Sequence, residues 1–201
     1  MAETPFEANY SVERYHGPLS DSSYEFDIAE TKTARPALSV ESAMVEGAFK
    51  VSLTTGTTWI GRFRGGAEGT DGVFTTPNPD VVCIVVRGDG YWVPVHEPRS
   101  FEEVRAIPIK RVLPIGDPPA LIFVTFTRLV AYGPRGLMWT TNDLSWDGLD
   151  ILEAGSGRIR GTAWDSPGAR KVPFLVDARS GETQGGAKPP TAGETRDSRP
   201  Y

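Results

Sequence analysis

The chain has 201 residues, 21 Lys and Arg against 26 Asp and Glu for a net charge of −5, a single cysteine and two histidines. One cysteine excludes an intramolecular disulfide, and two histidines weigh against a multi-histidine zinc site. The acidic balance argues against nonspecific nucleic-acid binding, which needs clustered Lys and Arg to release counterions from phosphates. The first residues are acidic, with no basic stretch leading into an apolar one, and no apolar run exceeds six residues, against roughly 20 for a membrane-spanning helix. These features predict a cytoplasmic chain with no membrane and no nucleic-acid partner.

Residues 1–23 mix Pro, Ser, Glu and Gly without lasting periodicity, so this segment is expected to be poorly ordered, His16 included. Alternating apolar and polar residues predict a strand over 48–53. A β-branched and aromatic run over 57–63 predicts its hairpin partner. A glycine-rich bend follows over 64–72. Residues 81–87 read as a buried central strand. Cys83 within it is expected to behave as a small hydrophobe with a raised pKa rather than as a reactive thiol. Gly88-Asp89-Gly90 reads as a turn needing positive φ, after which 91–95 returns antiparallel.

Residues 96–104 give the single short helical turn, with Ser100 as its cap and Glu103 completing a capping box. Residues 106–115 alternate but carry Pro108 and Pro114, which places them at a sheet edge or at bulges. Strands are then predicted over 121–127, 129–132, 137–141, 149–153, 158–164 and 171–177, separated by glycine-bearing turns. Residues 184–201 have almost nothing apolar to bury and read as a disordered tail. Turns every eight to twelve residues or so predict an all-β fold. The expectation is a single antiparallel domain over 24–183, of about ten short strands, arranged as a sandwich, a barrel or a propeller-like meander. An apolar strand, glycine turn and aromatic return occur at 84–93 and again at 130–139, a faint echo of propeller blades, but the period is too irregular and the chain too short for a full ring.

The run Leu144-Ser-Trp-Asp-Gly-Leu149, followed by Gly161-Thr-Ala-Trp-Asp165, Val172-Pro-Phe-Leu-Val-Asp177 and Gly185-Gly186, resembles the endings of a group of uncharacterised bacterial proteins. The resemblance covers about a third of the chain. It implies a bacterial origin and no assigned activity.

The pattern with the most chemical content is Asp143-x-Ser145-x-Asp147-Gly148. Calcium loops place oxygen side chains at alternate positions and use a glycine to wrap the cation. Asp143, Ser145 and Asp147 would be the metal ligands, and calcium is the one ion the pattern offers; otherwise no cofactor is expected. The pattern departs from such loops in having Ala154 where a bidentate glutamate belongs, and in the bulk of Trp146. The plainer reading is an Asx-type turn built by Asn142, Asp143 and Ser145, with Trp146 packed into the core. Trp146, Asp147, Trp164 and Asp165 form a second candidate, a ligand-binding set in which tryptophan faces and carboxylates meet a sugar or other polar ligand.

No strained Gly-x-Ser-x-Gly elbow, phosphate loop or dinucleotide fingerprint occurs. Arg62 with Arg64, and Arg158 with Arg160, each share one face of a strand and read as solvated faces or small anion patches. No catalytic residue is assigned. The function expected is a non-catalytic binding or interaction protein, of an immunity, regulatory or adaptor type, whose acidic surface meets a protein partner. The competing expectation is a β-scaffold enzyme or lectin-like module acting on a carbohydrate or small polar ligand through carboxylates and tryptophans.

Overall fold

The computed structural model describes residues 5–16, 25–27 and 46–189. The disorder expected at 1–4, 17–23 and 190–201 lies outside the described residues. Among those described, the fold is all-β, with one short 3₁₀ turn and no longer helix. The chain divides into two compact units, residues 1–109 and 110–201, where the sequence suggested one domain over 24–183.

The first unit contains β1 (Tyr10–Arg14), β2 (Glu25–Asp27), β3 (Glu46–Leu53) and β4 (Thr58–Arg64), then β5 (Gly72–Thr75), β6 (Val81–Val86), β7 (Asp89–Pro94) and β8 (Glu102–Glu103). The first four form one sheet in the order β1-β3-β4-β2, with β2 parallel to β4 and the other pairs antiparallel. The second four form an antiparallel meander. The predicted 48–53/57–63 hairpin is the β3–β4 pair, with Phe49 opposite Gly61 and Val51 opposite Trp59. β6 is buried along its whole length, as its unbroken apolar run requires. Cys83 is fully buried there, and burial pushes its thiol well above the usual range.

Both sheets of this unit feed one core, in which Val51, Phe63, Val82, Ile84 and Val93 are fully buried. An aromatic series runs through it, Phe49 to Phe63 at 5.9 Å, Phe63 to Tyr91 at 5.2 Å and Tyr91 to Phe101 at 6.0 Å between ring centres. These are tilted or edge-on geometries that aromatic pairs favour.

Three expectations change here. Tyr10–Arg14 is an ordered strand rather than part of a ragged end. Tyr10 is buried and donates its hydroxyl to the Val81 carbonyl at 2.9 Å, Asn9 reaches Asp80 at 2.8 Å, and Thr75 donates to the Phe6 carbonyl at 3.0 Å. These long-range anchors supply what local periodicity does not. The β6–β7 turn is Arg87–Gly88, with φ of 43° and 86°, and Gly90 lies inside β7. The 3₁₀ turn spans Pro98–Ser100, with Ser100 at its end bonding back to the Glu97 carbonyl at 2.8 Å. Glu103 belongs to β8, so no capping box forms.

The second unit contains β9 (Arg111–Gly116), β10 (Pro119–Val124), β11 (Leu129–Gly133) and β12 (Gly136–Thr140) in one antiparallel meander. A second meander is formed by β13 (Leu149–Gly155), β14 (Arg158–Asp165), β15 (Arg170–Asp177) and β16 (Thr183–Gly185). β9 carries Pro114 and lies at its sheet's edge, where a missing ladder donor is tolerated. β16 takes in residues 184–185, which the sequence assigned to the tail. The two meanders share a core of Ile122, Leu129, Ile159, Phe174 and Val176, with Leu144 from the connecting segment. All four sheets are open in strand order, and none closes into a barrel. Among the described residues no helix is long and apolar enough to cross a membrane.

Candidate functional site

The five tryptophans divide into two groups. Trp59, Trp92 and Trp139 are buried, and the indole N–H groups of Trp59 and Trp139 donate to the Val95 and Ala178 carbonyls at 2.9 and 3.0 Å. Trp59 and Trp139 are thus core residues with satisfied polar tips. Trp146 is 40% exposed, and Trp164 is half-buried. Both belong to the corner formed by the 141–148 segment and the end of β14.

Ser145 holds this corner together. Its side chain is fully buried; its hydroxyl donates to the Gly148 carbonyl at 2.6 Å and accepts from the Trp164 N–H at 2.9 Å. The Trp146 N–H donates to the Trp164 carbonyl at 3.0 Å, locking the two tryptophans' backbones side by side. Leu144 and Gly148 donate to the Thr127 and Phe126 carbonyls at 2.7 and 2.9 Å, and the Leu144 carbonyl accepts from Ala187 at 2.7 Å. Gly148 has φ of +88°, the left-handed conformation that glycine adopts without strain.

The segment does not alternate as a strand does: adjacent Leu144 and Ser145 are both buried, and Trp146 and Asp147 are both exposed. Leu144 is 2% exposed and joins the core, while Trp146, two residues on, is turned outward. The expectation that Trp146 packs into the core is therefore corrected, because Leu144 fills that position.

Two of the three metal-ligand candidates, Asp143 and Ser145, are engaged by groups within the fold. Asp143 Oδ1 accepts from the Thr127 hydroxyl at 2.6 Å and from Arg128 Nε at 2.9 Å, and it pairs with the second Arg128 nitrogen at 2.9 Å. Ser145 is spent on the turn, and Asp147 is exposed. The Arg128 cation beside Asp143 offsets the charge that a cation would need there. Among the described residues no three His, Cys, Asp or Glu side chains gather as a metal cluster. Asp165 is half-buried and lies 3.8 Å from Arg170 Nε. Nearby, Lys110 Nζ sits 4.4 Å above the centre of the Phe126 ring, a cation–π contact beside the corner.

Arg62 and Arg64 do share one face of β4, and Arg158 and Arg160 one exposed face of β14. Arg160 approaches Glu153 at 3.6 Å.

A second feature lies wholly in the first unit and was not singled out from the sequence. A cleft of about 380 Å³ is lined by Arg14, Tyr15 and His16 from the end of β1, by Gly47 and Ala48 of β3, and by Asp71, Val86 and Arg87. Arg87 occupies the first central position of the β6–β7 turn, where Asn, Asp or Gly is preferred. Asp71 Oδ1 accepts the Arg87 backbone N–H at 3.2 Å, and the guanidinium donates to the Ala67 carbonyl at 2.5 Å. The glycine-rich bend wraps this turn closely. A Cβ at Gly69 would come within 2.5 Å of Gly88 Cα, and one at Gly66 within 2.6 Å of the Arg87 carbonyl. The one sequence signal for the cleft was an arginine preceding the glycine of a two-residue turn.

No family model matches the chain, and no curated protein sequence matches it. A solved structure that it is similar to is the N-terminal domain of Nup159, with a TM-score of 0.40 and 12% identity, covering 90% of this chain and 51% of that one. The chain thus spans about half the length of that structure.

Proposed function

We propose that this protein is a non-catalytic binding module that presents Trp146, flanked by Trp164, to a protein partner. The observation that carries this reading is the outward placement of a large aromatic on a corner fixed by buried hydrogen bonds. A tryptophan left 40% exposed on a rigid backbone loses little conformational entropy on binding, and tryptophan is among the residues that dominate interface energetics. The surrounding charges, Lys110 over Phe126 and the Arg128–Asp143 pair, supply a polar rim of the kind interfaces carry. The net charge of −5 favours a basic partner through electrostatic steering.

Three of the four sheets are plain four-stranded meanders, the strand order of a propeller blade. We read each as blade-like, which suits a scaffold that displays corners and loops. The enzyme or lectin reading has less support, because Asp165 lies beside Arg170 and three of the five tryptophans are spent on the core.

Affinity capture from an extract of the source organism tests the proposal. Wild-type protein is expected to retain a defined protein that Trp146→Ala loses, while Leu152→Ala, at another exposed apolar position, retains it. Equal capture by all three proteins would overturn the assignment of Trp146, and binding to a glycan array that Trp146→Ala abolishes would replace the proposal with its rival.

A further inference from the structure

The cleft of the first unit has a composition that the proposed partner surface does not use. Arg14 and Arg87 bring two guanidinium groups, His16 adds an imidazole and Tyr15 a phenol, while Asp71 supplies the one carboxylate. The permanent charges sum to one net positive in a chain that is acidic overall. Guanidinium groups match oxyanions through forked, charge-assisted hydrogen bonds. Donors arriving from two separate chain segments, the end of β1 and the β6–β7 turn, suit a tetrahedral anion.

Arg87 is the informative residue. Its φ of 43° is unfavourable for a side chain of this kind, and an Asn-Gly turn would form the hairpin with less strain. Its surroundings over-determine it: Asp71 takes its N–H, Ala67 takes its side chain, and Gly88 donates to the Thr70 carbonyl at 2.9 Å. Strain of this type, held in place by neighbours, concentrates at ligand sites. Arg14, the other arginine lining the cleft, is exposed, with its guanidinium 5.7 Å from the centre of the Phe49 ring.

We infer that this cleft binds a small phosphorylated ligand, its phosphate held between Arg14 and Arg87 with His16 as a further donor. Asp71 is placed to accept a hydroxyl or ammonium group from the remainder of the ligand. A volume of about 380 Å³ is at the lower end of ligand pockets, which fits a molecule of sugar-phosphate size and not a nucleotide chain.

Titration calorimetry of the full chain at low ionic strength tests this with inorganic phosphate, glycerol 3-phosphate and unphosphorylated glycerol. Glycerol 3-phosphate should bind and glycerol should not. Inorganic phosphate binding as tightly would make free phosphate the ligand's source and leave the site as stated. Arg87→Asn should weaken binding at least about tenfold, the loss of one charge-assisted contact, while its Tm equals or exceeds that of wild type. Arg14→Gln, which leaves the turn untouched, should weaken binding to a similar degree. Absence of heat with both phosphate probes, or wild-type affinity in both variants, would overturn the inference.

Discussion

Two hairpins of this chain turn in the same way and do different things. Arg87 and Gly88 have φ of 43° and 86°, and Ser156 and Gly157 have 48° and 76°. Ser156 is a small, exposed residue, a polar residue of the sort that turns favour. Arg87 is half-buried, held by the 66–71 bend, and lines a cleft. Local turn chemistry accounts for Ser156, whereas Arg87 is explained only by its tertiary surroundings. The same distinction separates Leu144, which fills the core, from Trp146, which the same corner turns outward.

The comparison is sharpened most by the substitution with the largest effect. Leu144→Ala removes a side chain 2% exposed and should cost about 2–5 kcal/mol in urea unfolding. Trp146→Ala should cost about 1 kcal/mol or less, although tryptophan is the larger residue. A greater loss at Trp146 would mean that it, and not Leu144, supports the corner.

Ser145→Ala comes next. It leaves the Trp164 N–H and the Gly148 carbonyl only their long 3.4 Å bond to each other in place of the serine hydroxyl, at about 1–3 kcal/mol, and should raise amide hydrogen exchange at Trp146 and Trp164. Unchanged exchange there would show that the corner is held by other bonds. Arg87→Asn has a smaller effect of opposite sign. Relief of the left-handed arginine should raise stability by about 0.5–1 kcal/mol, and a loss of that size would show that the turn depends on the arginine.

The smallest effect concerns Asp177. Its carboxylate accepts the N–H groups of Ser180 and Arg179 at 2.9 and 2.8 Å, and these bonds, Ser180's first, hold its pKa below the usual carboxylate range. A folded-state pKa lower than the unfolded one gives stability that is complete above the ordinary range and lost as pH falls through the lowered value. Asp177→Asn should flatten the acid side of a Tm-against-pH curve, and an unchanged slope would assign it to other carboxylates.

The strand content was legible because its signals are local. Alternation marked β3, the apolar run of 81–86 marked β6, and Pro114 marked an edge. What escaped was non-local. β1 is five residues long and is held by Tyr10, Asn9 and Phe6 reaching residues about seventy positions away in the chain. At the corner, the spacing of Asp143, Ser145 and Asp147 was readable, but their partners were not. Thr127 and Arg128, which claim Asp143, lie on another turn, and no sequence pattern connects them. The cleft joins β1 to the Arg87 turn, so it was hidden for the same reason.

Site-specific photo-crosslinking tests the proposed partner surface most directly. A benzophenone side chain placed at position 146, and separately at 152, would be irradiated in an extract of the source organism. A rigid recognition corner predicts a discrete protein adduct from position 146 that excess wild-type protein competes away, with none from position 152. No adduct at 146, or the same adducts at both positions, would contradict the assignment of Trp146 as the residue that meets the partner.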